Sequence, residues 1–201
     1  EALEQLRARG LANGVRVERI TPARLAELEP AVHGLAALHV PDAAIVDFRR
    51  VASALADDVR AAGGEVRTSS EVVGVDPIGV SGAPSALRVH TSDSELTTSW
   101  LVNCAGLHSD RVARAAGSTA GVTIVPFRGE YHHLVSDARG LVRNLVYPVP
   151  DPRWPFLGVH FTRMIDGSVH VGPNAVLALG REAYEGGFDR RDVADLLADR
   201  A

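Results

Sequence analysis

The spacing of hydrophobic and polar residues predicts several helices along this chain. The clearest one begins after Asp47 and ends at Gly63-Gly64, because Asp favours a helix start and glycine a helix end. Its hydrophobic positions recur at helical spacing and form one face, made of Val51, Leu55, Val59 and Ala62. The other helices are expected over Glu1–Arg9, from Thr21-Pro22 to about Glu29, from near Ser109-Asp110 and from near Asp189.

Strands are predicted where hydrophobic and polar residues alternate or where β-branched residues run together. In the first half of the chain these are Val15–Ile20, Leu35–Val40, Glu65–Arg67, Glu71–Val75, Ser85–His90 and Glu95–Trp100. In the second half they are Thr123–Pro126, Glu130–Val135, Asn144–Pro148, Gly158–Thr162 and Ser168–Gly172. The polar turns Thr91–Ser94 and Asp166-Gly167 are each expected to join two strands as a hairpin.

The stretch from Trp100 to Gly106 differs from the other predicted strands. It is mostly apolar and ends in small residues just before a helix, a pattern typical of a strand in a buried parallel sheet. Helix–strand units therefore lie between two strand-rich regions. The predicted fold is mixed α/β (α+β) with two interleaved domains. One is an antiparallel-sheet domain made of residues 1–44 and 121–201, and the other contains residues 45–120.

Composition restricts the class of protein. A chain of 201 residues suffices for one large domain or two small ones. Its net charge of −4 gives no electrostatic reason to expect nucleic acid as a partner. No apolar run approaches the roughly 20 residues of a membrane helix. The single cysteine excludes an intramolecular disulfide and a cysteine-based metal site. These features predict a cytoplasmic protein.

The two ends of the chain have the character of an interior sequence. Residue 1 is Glu, and the only methionine is Met164. The first residues have the pattern of the middle of a helix, and the last ones that of a helix cut short. We therefore expect the chain to be a fragment of a longer protein.

Asn103-Cys104-Ala105-Gly106 is the first stretch that could support chemistry. A strand that ends in Ala-Gly before a helix lets a phosphate or ribose approach bare backbone near the positive helix N-terminus. Tight packing at a strand–helix turn explains the same residues about equally well. The chain has no GxGxxG fingerprint, and Cys104 is interpreted as a small core residue rather than a nucleophile.

Arg128 stands at the entrance to a strand and could bind a carboxylate through two hydrogen bonds. On spacing alone, an ordinary surface arginine beside a half-buried strand is the slightly favoured interpretation. On the strand that follows, Tyr131 and His133 are expected on one face and His132 on the other. The adjacent histidines therefore cannot easily chelate one ion, and no metal site is expected.

His160 is the candidate proton acceptor. A lone histidine within an apolar strand is more often a hydrogen-bonded core residue. Here the neighbouring strands also contribute Tyr131, Tyr147 and Asn174, which favours a site where polar groups converge in an apolar region. Imidazole is suited to accept a proton near neutral pH.

Together these residues match the pattern of a known family. The chain resembles the FAD-dependent oxidoreductases of the D-amino-acid-oxidase superfamily, and is most similar to its L-2-hydroxyglutarate oxidase/dehydrogenase family. The resemblance rests on Ala44–Phe48, Val102–Asp110, Pro126–Tyr131 and the stretch from Tyr147 to Ala178. The last of these contains the segments YPVPD, PFLGVHFT and GPNAVLA and is the most specific. The resemblance extends from near Leu35 to Tyr184.

The resemblance implies a Rossmann-like FAD-binding domain within residues 45–120 and assigns roles by position. The residues implied to bind FAD are Glu71, Val72, Cys104, Ala105, Gly106, Gly172 and Pro173. The residues implied to bind substrate carboxylates are Arg128, Tyr131, Tyr147 and Asn174. His160 would act as the base. The implied reaction oxidises L-2-hydroxyglutarate, a 2-hydroxy dicarboxylate, to 2-oxoglutarate by hydride transfer to flavin N5.

Two features of the family are missing from the chain, namely the opening GxGxxG unit and the closing glycine-rich segment. We therefore expect the chain by itself to hold FAD weakly or not at all. Two alternatives remain, a related flavoenzyme that oxidises another 2-hydroxy acid or an amine, and a binding module without catalysis. The electron acceptor is oxygen or a quinone, and a quinone-linked enzyme could attach peripherally to the inner membrane. The sequence leaves the oligomeric state open.

Overall fold

The computed structural model describes residues 1–80, 83–119 and 121–198 of the chain. Its α-helices are α1 (Ala2–Ala12), α2 (Pro22–Leu28), α3 (Phe48–Ala61), α4 (Ser109–Ala115) and α5 (Arg190–Ala198). The strands in the first half are β1 (Glu18–Ile20), β2 (Ala37–His39), β3 (Val72–Val80), β4 (Ala83–Thr91) and β5 (Glu95–Thr98). Those in the second half are β6 (Phe127–Arg128), β7 (His132–His133), β8 (His160–Arg163), β9 (Val169–Gly172) and β10 (Val176–Leu177). Short 3₁₀ helices cover Gly106–His108 and Ser136–Leu141.

The elements are grouped in two compact units, each made of two separate stretches of chain. Unit 1 contains Glu1–Ala54 and Gly129–Val176, and unit 2 contains Leu55–Arg128 and Leu177–Ala201. The predicted mixed content of helices and antiparallel sheets is confirmed. The predicted domain boundaries at 44/45 and 120/121 stay a prediction, and residues 120 and 199–201, at which two of the predicted domains end, lie outside the described residues.

In unit 1 the main sheet is antiparallel with the strand order β7-β9-β8. Val169 of the central strand is fully buried and forms its core. The predicted Asp166-Gly167 turn joins β8 to β9, with backbone hydrogen bonds from Met164 N to Ser168 O at 2.8 Å and from Gly167 N to Met164 O at 3.0 Å. Strands β1 and β2 form a second pair. Helix α2 begins as predicted, because the Thr21 side chain accepts a hydrogen bond from Arg24 N at 3.2 Å.

Glu29 connects the end of α2 to a loop that is distant in sequence. This carboxylate is buried, and it accepts hydrogen bonds from Arg143 N at 3.0 Å and from Asn144 Nδ2 at 2.7 Å. A buried carboxylate is tolerated only when its oxygens are bonded in this way. Glu29 therefore fixes the start of the loop that leads to β8.

In unit 2 the strands β3, β4 and β5 form an antiparallel meander. The predicted β4–β5 hairpin across Thr91–Ser94 is confirmed. Val75 and Val89 are directly opposite each other and are both buried. Strand β3 is longer than predicted, since it continues through Pro77 to Val80. Proline is compatible with β3 because the strand lies at the edge of its sheet.

Two predicted strands of the first half are wrong. Residues 101–105 belong to no strand, and Trp100 and Val102 are 85% and 81% exposed. A buried parallel strand needs neighbours along its edges, and within the described ranges no strand pairs with this stretch. Glu65–Arg67 is also irregular, and its two ends pair with each other at 2.8 Å on the surface instead of entering a sheet.

The second half has shorter strands than predicted. Thr123–Pro126 forms no strand, Glu130–Val135 is reduced to β7, and Asn144–Pro148 to a single bridge between Val146 and Phe161. Pro126 and Pro148, at the ends of the first and third of these stretches, lack the N–H that a strand ladder requires.

Helix α3 is present as predicted, and its start is capped by Asp47, which accepts hydrogen bonds from Arg49 N and Arg50 N. Its hydrophobic face is nevertheless open, because Leu55 and Val59 are 60% and 44% exposed. None of the helices described here is long and apolar enough to cross a membrane.

A buried network of charges holds unit 2 together. Arg181 is 3% exposed and bonds to Asp110 through both terminal nitrogens, one of them at 2.7 Å. Asp110 also accepts hydrogen bonds from Arg114 and from Ile124 N. The hydrogen bond from Arg181, together with the nearby positive charges, holds the pKa of the Asp110 carboxyl far below its usual range. Asp192, at the start of α5, accepts from Arg181 N at 2.9 Å.

We expect Asp110→Asn to lower the free energy of unfolding at neutral pH by about 3–5 kcal/mol, because it leaves the Arg181 charge without its main partner. Because the pKa of Asp110 is lower in the folded than in the unfolded state, its ionised carboxylate stabilises the fold above about pH 4. This stabilisation is lost as the pH falls toward the pKa of Asp110 in the folded protein. The variant should therefore lose less stability than the parent protein between about pH 4 and pH 2. Urea unfolding across this range measures both effects.

Asp57→Asn is the matched control, since Asp57 makes an exposed ion pair with Arg60 at 2.8 Å on α3. We expect this substitution to change stability by less than about 1 kcal/mol. An Asp110→Asn protein with the stability and acid sensitivity of the parent would contradict the role given to the buried pair.

Candidate functional site

A cleft in unit 2 brings together two of the three stretches predicted to bind FAD. Its volume is about 850 Å³. Glu71 and Val72 line it from the start of β3, and Cys104 and Ala105 line it from the irregular stretch before α4. The remaining lining residues that matter for its chemistry are Val73, Leu101, Val102, Asn103, His108, Arg111, Glu182 and Arg191.

The turn at the cleft wall is shaped by Asn103. Its Oδ1 accepts a hydrogen bond from Ala105 N at 3.2 Å, and its Nδ2 donates to Ser109 O at 2.8 Å. Gly106 follows with a φ of +55°, and the space beside its α-carbon is open. The backbone is therefore accessible at the point where the sequence predicts contact with a ribose or phosphate.

Cys104 is exposed, so its interpretation as a core residue is wrong. That interpretation required the stretch to be a buried strand, which it is not. As one of the cleft residues, Cys104 remains a candidate for cofactor contact.

The cleft combines an apolar wall with positive charge. Val72, Val73, Leu101 and Val102 supply apolar surface, and Arg111 and Arg191 supply guanidinium groups. Arg111 is fixed by Asp192 at 2.5 Å, and within the described part of the chain its buried Nε has no hydrogen-bond partner. An apolar wall for an aromatic base beside cations and open backbone for phosphate fits the adenosine diphosphate part of FAD.

In unit 1 His160 and Tyr147 form a stacked pair. Their ring centroids are 4.3 Å apart with an angle of 20° between the planes. His160 is 6% exposed, and its Nδ1 lies 2.9 Å from Gly158 O. Because a carbonyl only accepts, Nδ1 carries the proton in this bond, and Nε2 of the neutral ring is left as an acceptor.

Gly172 and Pro173 lie against the segment that contains Tyr131. A Cβ added at Gly172 would be 2.7 Å from both Glu130 O and Tyr131 Cδ1. A Cβ added at Gly129 would be 2.7 Å from the Pro173 ring. Only glycine permits these two close approaches.

The amide of Asn174 is bonded to Glu130 on both sides. Its Oδ1 accepts from Glu130 N and its Nδ2 donates to Glu130 Oε2, each at 2.8 Å. Asn174 thus fixes the segment before β7, which contains Tyr131. Its predicted contact with substrate stays a prediction.

Arg128 belongs to unit 2, where its Nη1 donates a hydrogen bond to Ala183 O at 3.2 Å. Its predicted binding of a carboxylate stays a prediction. Across residues 1–80, 83–119 and 121–198, no group of three or more His, Cys, Asp and Glu side chains could hold a metal ion.

His170, which the sequence did not single out, shares a sheet face with His160. Residues that are opposite each other in neighbouring strands share a face, and the pairs here are His160 with Gly172 and Thr162 with His170. His170 stacks on His133 with centroids 4.0 Å apart. Burial and the neighbouring His133 lower the pKa of His170. The signal in the sequence was the alternation along Val169–Gly172, which puts His170 and Gly172 on one side.

Comparison with known proteins gives a consistent result. A model of the family described as FAD dependent oxidoreductase (DAO) matches residues 1–200. The chain is 46% identical over 185 residues to the L-2-hydroxyglutarate dehydrogenase of Indibacter alkaliphilus, which covers 91% of this chain and 45% of that protein. It is 42% identical over 204 residues to the mitochondrial L-2-hydroxyglutarate dehydrogenase of Homo sapiens, with 97% and 44% covered. The chain therefore spans less than half the length of these relatives.

Among solved structures, the glycine oxidase from Bacillus cereus ATCC 14579 is similar, with a TM-score of 0.64 and 16% sequence identity. The match covers 97% of this chain and 49% of that one. At this identity the likeness shows the fold alone. It confirms the predicted fold class.

We expect Gly172→Ala to destabilise the protein by about 1–3 kcal/mol, because the new methyl group must displace Glu130 O and the Tyr131 ring. Gly140→Ala is the matched control, since a Cβ there meets open space. It should be neutral or slightly stabilising. Thermal unfolding of both variants provides the measurement, and equal melting temperatures for the two would refute the close packing at Gly172.

Proposed function

This chain belongs to the DAO family of FAD-dependent oxidoreductases, and on that premise we propose that the protein oxidises L-2-hydroxyglutarate to 2-oxoglutarate. The observation that carries the proposal is His160, a buried imidazole whose Nδ1 bonds to Gly158 O and whose Nε2 is left to accept a proton. The identity of 46% to a protein named L-2-hydroxyglutarate dehydrogenase supports this choice of substrate.

We propose that the cleft of unit 2 holds the adenosine diphosphate part of FAD. Glu71 and Val72 would meet the adenine, and Cys104, Ala105 and Gly106 the ribose and pyrophosphate. When bound, the flavin supplies the two-electron chemistry by accepting a hydride from C2 of the substrate. Gly172 and Pro173 would approach the flavin closely, as the family resemblance implies.

His160 would take the proton from the C2 hydroxyl at its Nε2 atom. The imidazolium that results keeps its Nδ1–H bonded to Gly158 O and lies on the face of the Tyr147 ring. A cation on an aromatic face is stabilised electrostatically, so this arrangement favours the protonated product of the transfer.

The substrate carboxylates need donors, and Arg128, Tyr131 and Tyr147 would supply them. Tyr131 and Tyr147 are about half exposed, so their hydroxyl groups can be reached from solvent. Direct binding by Asn174 requires that its amide exchange the present bonds to Glu130 for the substrate.

Two-electron oxidation also needs an acceptor of the electrons. The family resemblance leaves oxygen and a quinone as candidates, the second of which would favour peripheral attachment to the inner membrane. Turnover measured with oxygen and with a soluble quinone analogue separates them.

A visible spectrum tests the proposal directly. We expect the full-length protein to show a flavin band that bleaches on anaerobic addition of L-2-hydroxyglutarate, because hydride transfer reduces the cofactor. D-2-hydroxyglutarate is the control and should leave the band unchanged. A flavin band that bleaches only with another 2-hydroxy acid or an amine would contradict the proposed choice of L-2-hydroxyglutarate as substrate. A full-length protein without flavin would contradict the proposal that it is a flavoenzyme.

We further expect His160→Gln to lower kcat by about 10²- to 10⁴-fold, the usual contribution of a general base. His132→Gln, an exposed histidine on the same sheet, is the matched control and should retain kcat. Stopped-flow reduction of the flavin measures the step in both variants. If the His160→Gln enzyme were reduced at the parent rate, another group would have to be the base.

A further inference from the structure

We infer that Arg181 is a positioning residue for the cofactor cleft of unit 2, an inference that rests on the proposed function. Arg181 is buried and does not line the cleft. Its side chain instead bonds to the segments that carry the lining residues.

The guanidinium of Arg181 holds the segment that leads from the Asn103 turn into α4. Nη1 donates to Leu107 O at 2.6 Å, and both terminal nitrogens bond to Asp110 in the first turn of the helix. Nη2 also lies 3.4 Å from Ile124 O. Because the guanidinium is planar and rigid, it fixes the direction as well as the distance of each of these contacts.

A second group of contacts ties α5 to the same arginine. Asp192 Oδ2 accepts a hydrogen bond from Arg181 N at 2.9 Å, and Asp192 Oδ1 lies 3.1 Å from Arg181 Nε. The same Oδ1 accepts from Arg111 Nη2 at 2.5 Å. Asp192 thereby links the buried arginine to Arg111, which lines the cleft.

Four residues of this network are chain neighbours of residues in the cleft wall. The pairs of network and wall residues are Leu107 with His108, Asp110 with Arg111, Arg181 with Glu182, and Asp192 with Arg191. The wall residues His108 and Glu182 also contact each other at 2.8 Å. A change in the network must therefore move the wall.

Stability alone does not require such a network. Buried ion pairs can often be replaced by apolar residues of the same volume without loss of stability. Apolar contacts have no direction, however, and would not hold the turn and the two helices in one arrangement. Loss of the Arg181 geometry should therefore weaken FAD binding more than an equal loss of packing elsewhere in unit 2.

The test uses the apo form of the full-length protein and measures its dissociation constant for FAD by flavin fluorescence. Arg181→Lys keeps the positive charge and loses the planar fork. We expect it to weaken FAD binding at least tenfold. Val89→Ala is the control, because it opens a cavity in the core of the same unit at a residue outside the cleft wall. It should bind FAD within about twofold of the parent protein.

Two results would overturn the inference. The first is an Arg181→Lys protein that binds FAD within twofold of the parent. The second is equal weakening in Arg181→Lys and Val89→Ala, which would assign Arg181 to stability alone. A parent protein that binds no FAD at all would instead overturn the proposed function, and this inference with it.

Asp192→Asn serves as the deciding variant if Arg181→Lys does not fold, which far-ultraviolet circular dichroism shows. Asparagine keeps one oxygen acceptor, for either Arg181 N or Arg111 but not for both, and it loses the negative charge that orients the two arginines. We expect it to weaken FAD binding at least threefold. FAD affinity equal to that of the parent would overturn the inference in this case too.

Discussion

The buried pair of Arg181 and Asp110 is the interaction on which unit 2 depends. It joins two stretches of chain that are 71 residues apart, and Asp192 adds α5 to them. The apolar core of this unit is small, since the buried hydrophobic residues among those described are Val75, Val89 and Ala178. A charged network costs more to bury than an apolar core of the same size. The charged network also holds each of the segments that it joins in one orientation, and residues of these segments line the cleft.

The parts of the fold that could be predicted from sequence are those decided by residues close together in the chain. Thr21 and Asp47 cap their helices because each side chain bonds to the backbone two or three residues on. The Asp166-Gly167 hairpin follows from the conformational preference of glycine in a tight turn. The mixed α/β class followed from the order of the predicted helices and strands, and the FAD-binding role of the cleft residues came from the resemblance.

What could not be predicted depends on partners distant in the chain. The pattern at Trp100–Gly106 is that of a buried strand, but a strand also needs neighbours that its own residues do not specify. Arg181 follows Gly180 with no hydrophobic periodicity around it, and nothing local marks it as buried. His170 acquires its neighbour His133 through the register of two strands, and one step of register would have separated them.

The hydrogen bonds of Asn174 affect how the β7-β9-β8 sheet can tolerate insertions and deletions during evolution. Pro173 has no N–H to donate to a neighbouring strand. Immediately after it, Asn174 bonds to Glu130 through its backbone N and through both ends of its side-chain amide. The bonded pair of Glu130 and Asn174 joins the two ends of the segment between them. This segment contains β7, β8 and β9 and the stacked pair of His160 and Tyr147. Loops inside this segment can therefore lengthen or shorten while its two bonded ends keep their arrangement. Such a unit can acquire a new specificity by insertion, without redesign of the surrounding protein.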